Sequence, residues 1–401
     1  MRLTPCRGRG IPAPVPGPSP RERVLRALSH QVPDRLPVDF LAVPEVWREL
    51  QAHFGMPLVQ PAPDALFDPG WERVLQLLEV DCRVVSYDQF CEPPHAAGNR
   101  VEWWQVPGRS TPARMWRVME DDGFSRDVFG RRFRTVGAGA SAYEETVPVL
   151  DASASLADAR GLPWPDPAWW DFHPLPGVIR AMNGQERHHE RYRAGSVFEI
   201  GWQLMGLEQF LVGLLEGSPV PEYLMDAILD RELAVTRAAL DAAGDGLDML
   251  YFYDDVATQQ SLLLSAEMWR RVIRPRHARL IELARGRGLS VMYHSDGAIA
   301  PLLPDLIAMG VDVINPVQAD AAGMDPAALK ESFGDKLSFH GGIDIVRTLP
   351  RGTAADVEAE VAARRRVLGA GGGYVMASCH HIQAGTPLAN VLAMYRLPAR
   401  E

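Results

Sequence analysis

Residues 289–297 read Leu-Ser-Val-Met-Tyr-His-Ser-Asp-Gly, a short apolar run that ends in polar residues and a glycine. Its apolar part, 289–293, is a predicted strand. A similar strand is predicted earlier at 248–253, followed by Asp254 and Asp255, and further short strands are predicted at 311–315, 336–339 and 373–377. Stretches with helical apolar spacing separate these runs, and such alternation is typical of parallel βαβ units. The sequence therefore predicts an α/β fold. The predicted helices cover 208–243, 266–287, 301–309, 326–333, 354–368 and 387–395.

Three further strands are predicted nearer the N-terminus. One covers 196–203, and two earlier ones cover 35–40 and 82–87. Together with the five C-terminal runs they make eight, which favours a closed (β/α)8 TIM barrel. An open, doubly wound parallel sheet is the alternative.

Two regions interrupt this alternation. Between 99 and 136, aromatic and β-branched residues alternate with charges, which predicts an antiparallel hairpin inside an insertion that extends to about 176. Residues 1–20 are rich in Arg, Pro and Gly and lack the apolar region of a secretory signal, so we expect a disordered tail there. The remaining residues, 21–397, are expected to form a single barrel domain.

Composition limits the classes of function. The chain has 401 residues, and 51 acidic against 41 basic residues give a formal net charge of −10, which argues against a nucleic-acid binder. Nothing is apolar for long enough to cross a membrane, and four scattered cysteines do not suggest a disulfide framework. The glycine motifs of dinucleotide and P-loop sites are missing. A cytoplasmic enzyme acting on a small molecule fits best.

Residues that can bind metals collect just after the predicted strands. In a barrel these strand ends form the rim that carries the active site, although loops are polar in any case. His294 and Asp296 are two residues apart at a strand end, so their side chains point to one side. With Cys379 and Glu199 they would make a tetrahedral zinc site. A hydrogen-bonded His–Asp pair without metal is the simpler alternative.

Five motifs of the C-terminal half occur together: 253–259 (Tyr-Asp-Asp-Val-Ala-Thr-Gln), 294–297 (His-Ser-Asp-Gly), 310–318 (Gly-Val-Asp-Val-Ile-Asn-Pro-Val-Gln), 339–344 (Phe-His-Gly-Gly-Ile-Asp) and 371–375 (Gly-Gly-Gly-Tyr-Val). This series resembles the uroporphyrinogen decarboxylase superfamily, and so do the opening at 23–37 and the ending at 387–395. The resemblance covers about 21–397, is weakest within 99–176, and implies a (β/α)8 barrel.

One branch of that superfamily consists of corrinoid-dependent methyltransferases, such as methylcobalamin:coenzyme M methyltransferase. These bind zinc through His-x-Cys on one strand and a Cys after the last strand. His294 and Cys379 match two of these ligands, and Asp296 takes the place of the middle Cys. The resemblance implies a zinc-assisted methyl transfer between a methyl-corrinoid and a small molecule, with Glu199 as a displaceable fourth ligand. A corrinoid protein and a second copy of the chain are candidate partners.

The other branch, the true decarboxylases, works without a cofactor. These enzymes hold an acidic tetrapyrrole with the arginines of an Arg-Gln-Ala-Gly-Arg motif, whereas residues 39–47 here read Asp-Phe-Leu-Ala-Val-Pro-Glu-Val-Trp. Because arginine is the natural partner of carboxylates, the missing pair favours the methyltransferase. A carboxy-lyase acting on a tetrapyrrole or aromatic acid is the alternative, and a non-catalytic corrinoid- or tetrapyrrole-binding barrel is the second.

The resemblance also suggests roles for further residues at the strand ends. Candidates for positioning substrate or moving protons are Asp254, Asp255, His340, Asp344 and His381. Candidates for binding substrate or cofactor are Asp88, Gln259, Asn315, Gln318 and His380.

Overall fold

The computed structural model describes residues 17–58, 65–94, 116–120, 122–137 and 143–396, and in these ranges the strands form two sheets. One sheet is parallel and curled. In order across it, its seven strands are β1 (Cys82–Ser86), β6 (His189–Arg193), β7 (Met249–Tyr253), β8 (Ser290–His294), β9 (Val313–Asn315), β10 (Ser338–Ile343) and β11 (Tyr374–Ser378). The other sheet is antiparallel, with strands β2 (Val118–Met119), β3 (Ser125–Arg126), β4 (Arg132–Val136) and β5 (Tyr143–Val147).

Helices connect the strands of the parallel sheet, as βαβ units require. Among the described residues no helix has the length and apolar character needed to span a membrane. The helices are α1 (Pro20–Leu28), α2 (Pro44–His53), α3 (Pro69–Leu77), α4 (Leu156–Arg160), α5 (Leu175–Asn183), α6 (Phe198–Met205), α7 (Leu207–Glu216), α8 (Pro219–Ala243), α9 (Ala266–Val272), α10 (Arg274–Arg285), α11 (Leu303–Met309), α12 (Pro326–Phe333), α13 (Thr348–Arg351), α14 (Ala354–Val367) and α15 (Leu388–Met394).

The eighth position of the barrel is occupied without a regular strand. Val38 and Ala42 make isolated parallel bridges to Met376 and Ile382, next to β11. On the other side, the amide of Asp81 donates to the carbonyl of Val38 at 3.0 Å, just before β1. The strand predicted at 35–40 is therefore only a bridging segment. The α/β class with a parallel, curled sheet is confirmed, but within the described ranges no continuous ladder closes the sheet.

The second strand of the parallel sheet, β6, lies earlier in the chain than predicted. Residues 196–203 were expected to be that strand, and this expectation is wrong because Phe198–Met205 form helix α6. The sequence of β6, His-Glu-Arg-Tyr-Arg, lacks an apolar run, yet four of its five residues are fully buried and the fifth partly. Arg191 forms an ion pair with Asp39, Arg193 lines the cavity, and burial raises the pKa of Glu190 to about 8, so hydropathy alone does not reveal the strand.

The predicted insertion contains antiparallel structure of the expected kind. Strand β4 pairs with both β3 and β5, and β2 pairs with β3, so the insertion holds a small sheet rather than one hairpin. Residues 95–115, where this hairpin was expected to begin, lie outside the described residues, and so do 1–16 of the predicted tail. The boundary of a single domain at 21–397 stays a prediction.

Helix α1 closes the barrel at the amino ends of its strands. Leu28 packs against a cluster that contains Cys82 and Val375, and against a second cluster of Met249, Met292 and Val313. These residues point into the barrel, because alternate side chains of a strand face opposite sides. With the amino ends closed in this way, the open space lies toward the carboxyl ends.

Gly297, in the loop that follows β8, allows a close approach of two loops at those carboxyl ends. Its φ is +87°, and a Cβ there would lie 2.4 Å from the carbonyl oxygen of Thr258. We expect Gly297→Ala to lower the free energy of unfolding by about 3 kcal/mol, from left-handed strain plus the backbone clash. Gly217→Ala is the control, because that site has a φ of +76° but open space around it. Urea denaturation showing equal losses for both variants would contradict the close approach.

Candidate functional site

A cavity of about 240 Å³ opens among the carboxyl ends of the parallel strands. This is where α/β barrels place their active sites. Seven residues singled out from the sequence line it: Glu199, Asp255, His294, Asn315, His340, His380 and His381. The structure therefore brings together half of the fourteen candidate side chains.

A chain of hydrogen bonds crosses the cavity floor. Nδ1 of His294 lies 2.5 Å from Oδ1 of Asn315, and Nδ2 of Asn315 lies 2.6 Å from Nδ1 of His340. An amide oxygen only accepts, so Nδ1 of His294 donates, and this tautomer has its lone pair on Nε2. His340 accepts at Nδ1 and therefore donates from Nε2 to Oδ2 of Asp39, at 2.9 Å. Asn315 thus sets the tautomers of both histidines.

The far end of this chain is a buried ion pair between Asp39 and Arg191. Burial opposes ionisation of Asp39, but Arg191 and His340 outweigh it and hold the pKa of this carboxyl well below its usual range. Burial also lowers the pKa of His340. The pair is consequently a carboxylate and a guanidinium, with a neutral imidazole between them and Asn315.

Three side chains at the rim are close enough to share a metal ion. Among the described residues, one ligand atom each from His294, Asp296 and His380 lies within 4.8 Å of the others. His380 Nε2 lies 4.0 Å from Oδ2 of Asp296, and burial lowers the pKa of His380, which favours the neutral, metal-binding form of its ring. Asp255 lies beside this cluster, with Oδ1 at 3.8 Å from Nε2 of His294.

Cys379, predicted to be a metal ligand, points away from this cluster. Its Sγ donates to the carbonyl of Val317 at 3.2 Å and lines a separate cavity. Burial raises the pKa of its thiol to about 12, which disfavours a thiolate. Consecutive residues of an extended chain face opposite sides, so His380 rather than Cys379 faces the rim.

Glu199 faces the cavity from the first turn of helix α6. Burial, then the neighbouring charge of Asp255, raises its pKa to about 7. Asp254 positions this turn, since its Oδ1 accepts from the amide of Glu199 at 2.8 Å and its Oδ2 accepts from that of Val197 at 3.1 Å. Asp254 is itself fully buried and bonded to Nε2 of His277 at 2.7 Å. It holds the backbone, and Glu199 is the group that faces the cavity.

The structure places the other candidates outside the main cavity. Oδ1 of Asp344 accepts from the amides of Val346 and Arg347, and Gln318 accepts from the amide of Gly297 at 2.9 Å. Both line the second cavity, of about 220 Å³. Asp88 lines a small third space, and Gln259 is exposed.

Sequence reasoning missed the two arginines of β6 that line the cavity. Arg191 and Arg193 both face inward, two residues apart on one strand. The guanidinium of Arg193 lies 4.9 Å from the centre of the Tyr253 ring. A signal is present, because His189, Arg191 and Arg193 alternate with Glu190 and Tyr192, but a run of charged residues such as 185–193 is equally typical of a solvated helix face.

Comparisons with known proteins assign the chain to a family. A family model described as uroporphyrinogen decarboxylase (URO-D) matches residues 193–399, more than half of the chain. The chain belongs to the uroporphyrinogen decarboxylase family. Among solved structures, a methyltransferase from Methanosarcina mazei matches with a TM-score of 0.57 and 16% identity, over 94% of this chain and 97% of that one. This likeness supports a shared fold. No curated protein matches the chain.

The raised pKa of Glu199 predicts a pH-dependent stability. The folded chain favours the protonated carboxyl of Glu199 over the carboxylate. The stabilisation that results from this preference is therefore full below the ordinary pKa of 4.5 and is lost as the pH rises through about 7. The unfolding free energy of the wild type, relative to Glu199→Gln, should fall by about 3 kcal/mol over that window. Denaturation at a series of pH values measures it, and a constant difference would contradict the burial of the carboxylate.

Proposed function

We propose that this family member is a zinc-assisted methyltransferase, which moves a methyl group between a methyl-corrinoid and a small molecule bound in the main cavity. The observation that carries the proposal is the cluster of His294, Asp296 and His380 at the rim of that cavity. The methyltransferase from Methanosarcina mazei, which matches over nearly the whole chain, supports it.

The donor set suits a zinc ion. Zinc accepts imidazole nitrogen and carboxylate oxygen, and bonds of about 2.0–2.2 Å put tetrahedral ligands roughly 3.4 Å apart. The 4.0 Å between His380 Nε2 and Asp296 Oδ2 needs only a small side-chain adjustment to reach that separation. Asn315 holds Nδ1 of His294 and leaves Nε2 for the metal, as the outer hydrogen bonds of zinc histidines do. His294, Asp296 and His380 would therefore be the ligands, replacing the set expected from the sequence.

The residues around the cluster supply the remaining requirements of the reaction. A bound zinc ion would lower the pKa of a substrate thiol or hydroxyl and so favour the nucleophile. Glu199, with a pKa of about 7, can accept the proton that this group loses. The hydrogen bonds from Asn315 through His340 to Asp39 keep His294 in one tautomer.

The decarboxylase alternative has weaker support. A substrate with many carboxylates needs several arginines, but Arg83 is bound by Glu72 through two hydrogen bonds of 2.6 and 2.7 Å. Arg191 is bound by Asp39. The non-catalytic alternative is disfavoured by the raised pKa values of Glu199 and Asp255 beside the cluster, since perturbed acids gather at catalytic sites.

Zinc-binding measurements alone can test whether His380, and not Cys379, is a metal ligand. We expect His380→Ala to weaken zinc binding by about 100-fold or more, and Asn315→Leu to weaken it by about 10–100-fold. Cys379→Ser is the matched control and should bind zinc like the wild type. Competition with a chromophoric chelator measures the affinities. Loss of zinc in Cys379→Ser with full binding in His380→Ala would overturn the ligand assignment.

Activity tests the methyl transfer itself. Zinc-loaded protein with methylcobalamin and a panel of thiols and phenols should give a methylated acceptor, detected by mass spectrometry, and a matching change in the cobalamin spectrum. His294→Ala should lose at least about 100-fold in rate, whereas Cys379→Ser should not. No methylated product in either direction, together with release of CO2 from uroporphyrinogen, would favour the decarboxylase instead.

A further inference from the structure

The main cavity extends out of the barrel beside strand β1. Val84 and Ser86 line it from one face of this strand, and Arg83 lines it from the other. Because alternate side chains of a strand face opposite sides, a cavity that reaches both faces passes around the strand. Arg83 is only the second residue of β1, so the passage lies along an edge of the strand and not over its carboxyl end.

The open edge of β1 is the one that faces the bridging segment. There the amide of Asp81 donates to the carbonyl of Val38 at 3.0 Å, and the carboxylate of Asp81 accepts from the amide of Val38 at 2.9 Å. Beyond this point no backbone hydrogen bond joins residues 39–42 to β1, in two ranges that the structure describes throughout. The segment is bonded on its far side instead, where the amide of Asp39 donates to Met376 at 2.8 Å.

The part of the cavity outside the barrel, which we call the side lobe, is lined by Trp47, Phe67, Trp71 and Leu75. The rings of Trp47 and Trp71 stack at 4.3 Å between centres, and the edge of Phe40 meets Trp47 at 4.6 Å. Helices α2 and α3 therefore present an apolar wall to the gap beside β1. A ligand that contacts this wall gains binding free energy mainly by burying apolar surface.

The charged groups beside the side lobe are already paired. Arg83 uses all five of its N–H donors: two bind the Glu72 carboxylate, two bind the carbonyls of Val80 and Cys82, and one faces Nε2 of His188 at 3.2 Å. Burial and the charge of Arg83 lower the pKa of His188 to about 3, so this ring is neutral and can accept. With no donor of Arg83 left for an anion, the side lobe favours an uncharged group.

The bridging segment connects the side lobe with the metal-capable cluster through observed contacts. Leu41 lines the cavity, and its carbonyl accepts from the amide of Ile382 at 2.9 Å. Just before Ile382, the rings of His381 and His380 lie 4.5 Å apart, and the ring of His380 lies 6.1 Å from that of His294. All three histidines line the same cavity as the apolar wall, so one molecule has access to both.

The volume of the cavity limits the size of that molecule. The cavity of about 240 Å³ equals the volume of about eight water molecules, at about 30 Å³ each. A reacting group at the cluster takes about two of these positions, which leaves about six for the rest of the molecule. Six atoms correspond to one six-membered ring.

We propose that the side lobe binds the apolar end of the substrate, a group about the size of one six-membered ring. The reacting oxygen or sulfur of the same molecule lies at the cluster of His294, Asp296 and His380. The position of the reacting end rests on the proposed function, whereas the apolar end rests on the side lobe alone. The gap between β1 and residues 39–42 thus provides a binding site that a closed ladder would exclude.

Calorimetric titration of the zinc-free protein with toluene tests the side lobe by itself. We expect one toluene to bind per chain, and Leu75→Trp, which fills the lobe, to weaken this binding by at least about tenfold. Leu75→Ala enlarges the lobe and should bind propylbenzene at least about tenfold more tightly than the wild type does. Leu215→Trp is the matched control, because Leu215 lies on helix α7 with 74% of its surface exposed, and it should bind toluene like the wild type.

The zinc-loaded protein, titrated with ethanethiol and 2-phenylethanethiol, tests the connection to the cluster. The phenyl group should strengthen thiol binding by at least about tenfold, and Leu75→Trp should remove this gain. No saturable toluene binding, or equal binding by Leu75→Trp and the wild type, would overturn the side lobe. Toluene binding that depends on Leu75 in a protein without zinc-dependent thiol binding would refute the proposed metal site and leave the lobe standing. Zinc-dependent thiol binding with no gain from the phenyl group would refute only this inference.

Discussion

The buried pair of Asp39 and Arg191 supports both the barrel and its site. Asp39 belongs to the bridging segment at the eighth position, where two isolated bridges replace a continuous ladder. Its amide donates to Met376 at 2.8 Å, and its carbonyl accepts from the Tyr395 hydroxyl at 2.7 Å. Its carboxylate meets Arg191 of β6 across the barrel interior. Side-chain contacts through the interior thus hold the segment that strand pairing holds only weakly.

The same pair determines the tautomers of His340 and His294 through three intermediate hydrogen bonds. With Asp39 ionised, His340 donates to it from Nε2, and its Nδ1 must accept from Asn315. The amide of Asn315 is then oriented so that its oxygen receives the proton of His294. A buried ion pair contributes little net stability of its own, since desolvation offsets its Coulombic gain. Here its effect is to select one arrangement of protons among several.

The sequence predicted those parts of the fold in which strands are apolar. Residues 248–253, 289–293 and 373–377 are strands with small shifts at their ends, because buried parallel strands need apolar residues on both faces. The sequence does not predict strand β6, because the strand carries charged residues toward a part of the barrel interior that is polar. The segment 196–203 was misread because its apolar residues fit either a strand or a helix.

The sequence predicts where the site lies, but only partly which residues form it. The rim residues His294, Asn315, His340 and His380 follow from the rule that active sites lie at the carboxyl ends of barrel strands. Which of Cys379 and His380 faces the rim depends on where β11 ends, and a shift of one residue exchanges the two. Asp254 and Asp255 posed the same problem, since one side chain of an adjacent pair faces the cavity and the other caps helix α6.

The exchange of thiolates for imidazole and carboxylate has a chemical consequence for the proposed metal site. Thiolates are soft, strongly donating and charged, and two of them neutralise a zinc dication. His294, Asp296 and His380 together would contribute one negative charge, which leaves the ion more electron-poor and a stronger Lewis acid. A stronger Lewis acid can lower the pKa of a weak oxygen acid, for which a thiolate-rich site is less effective. The proposed ligand set would therefore extend the range of suitable substrates from thiols toward hydroxyl compounds.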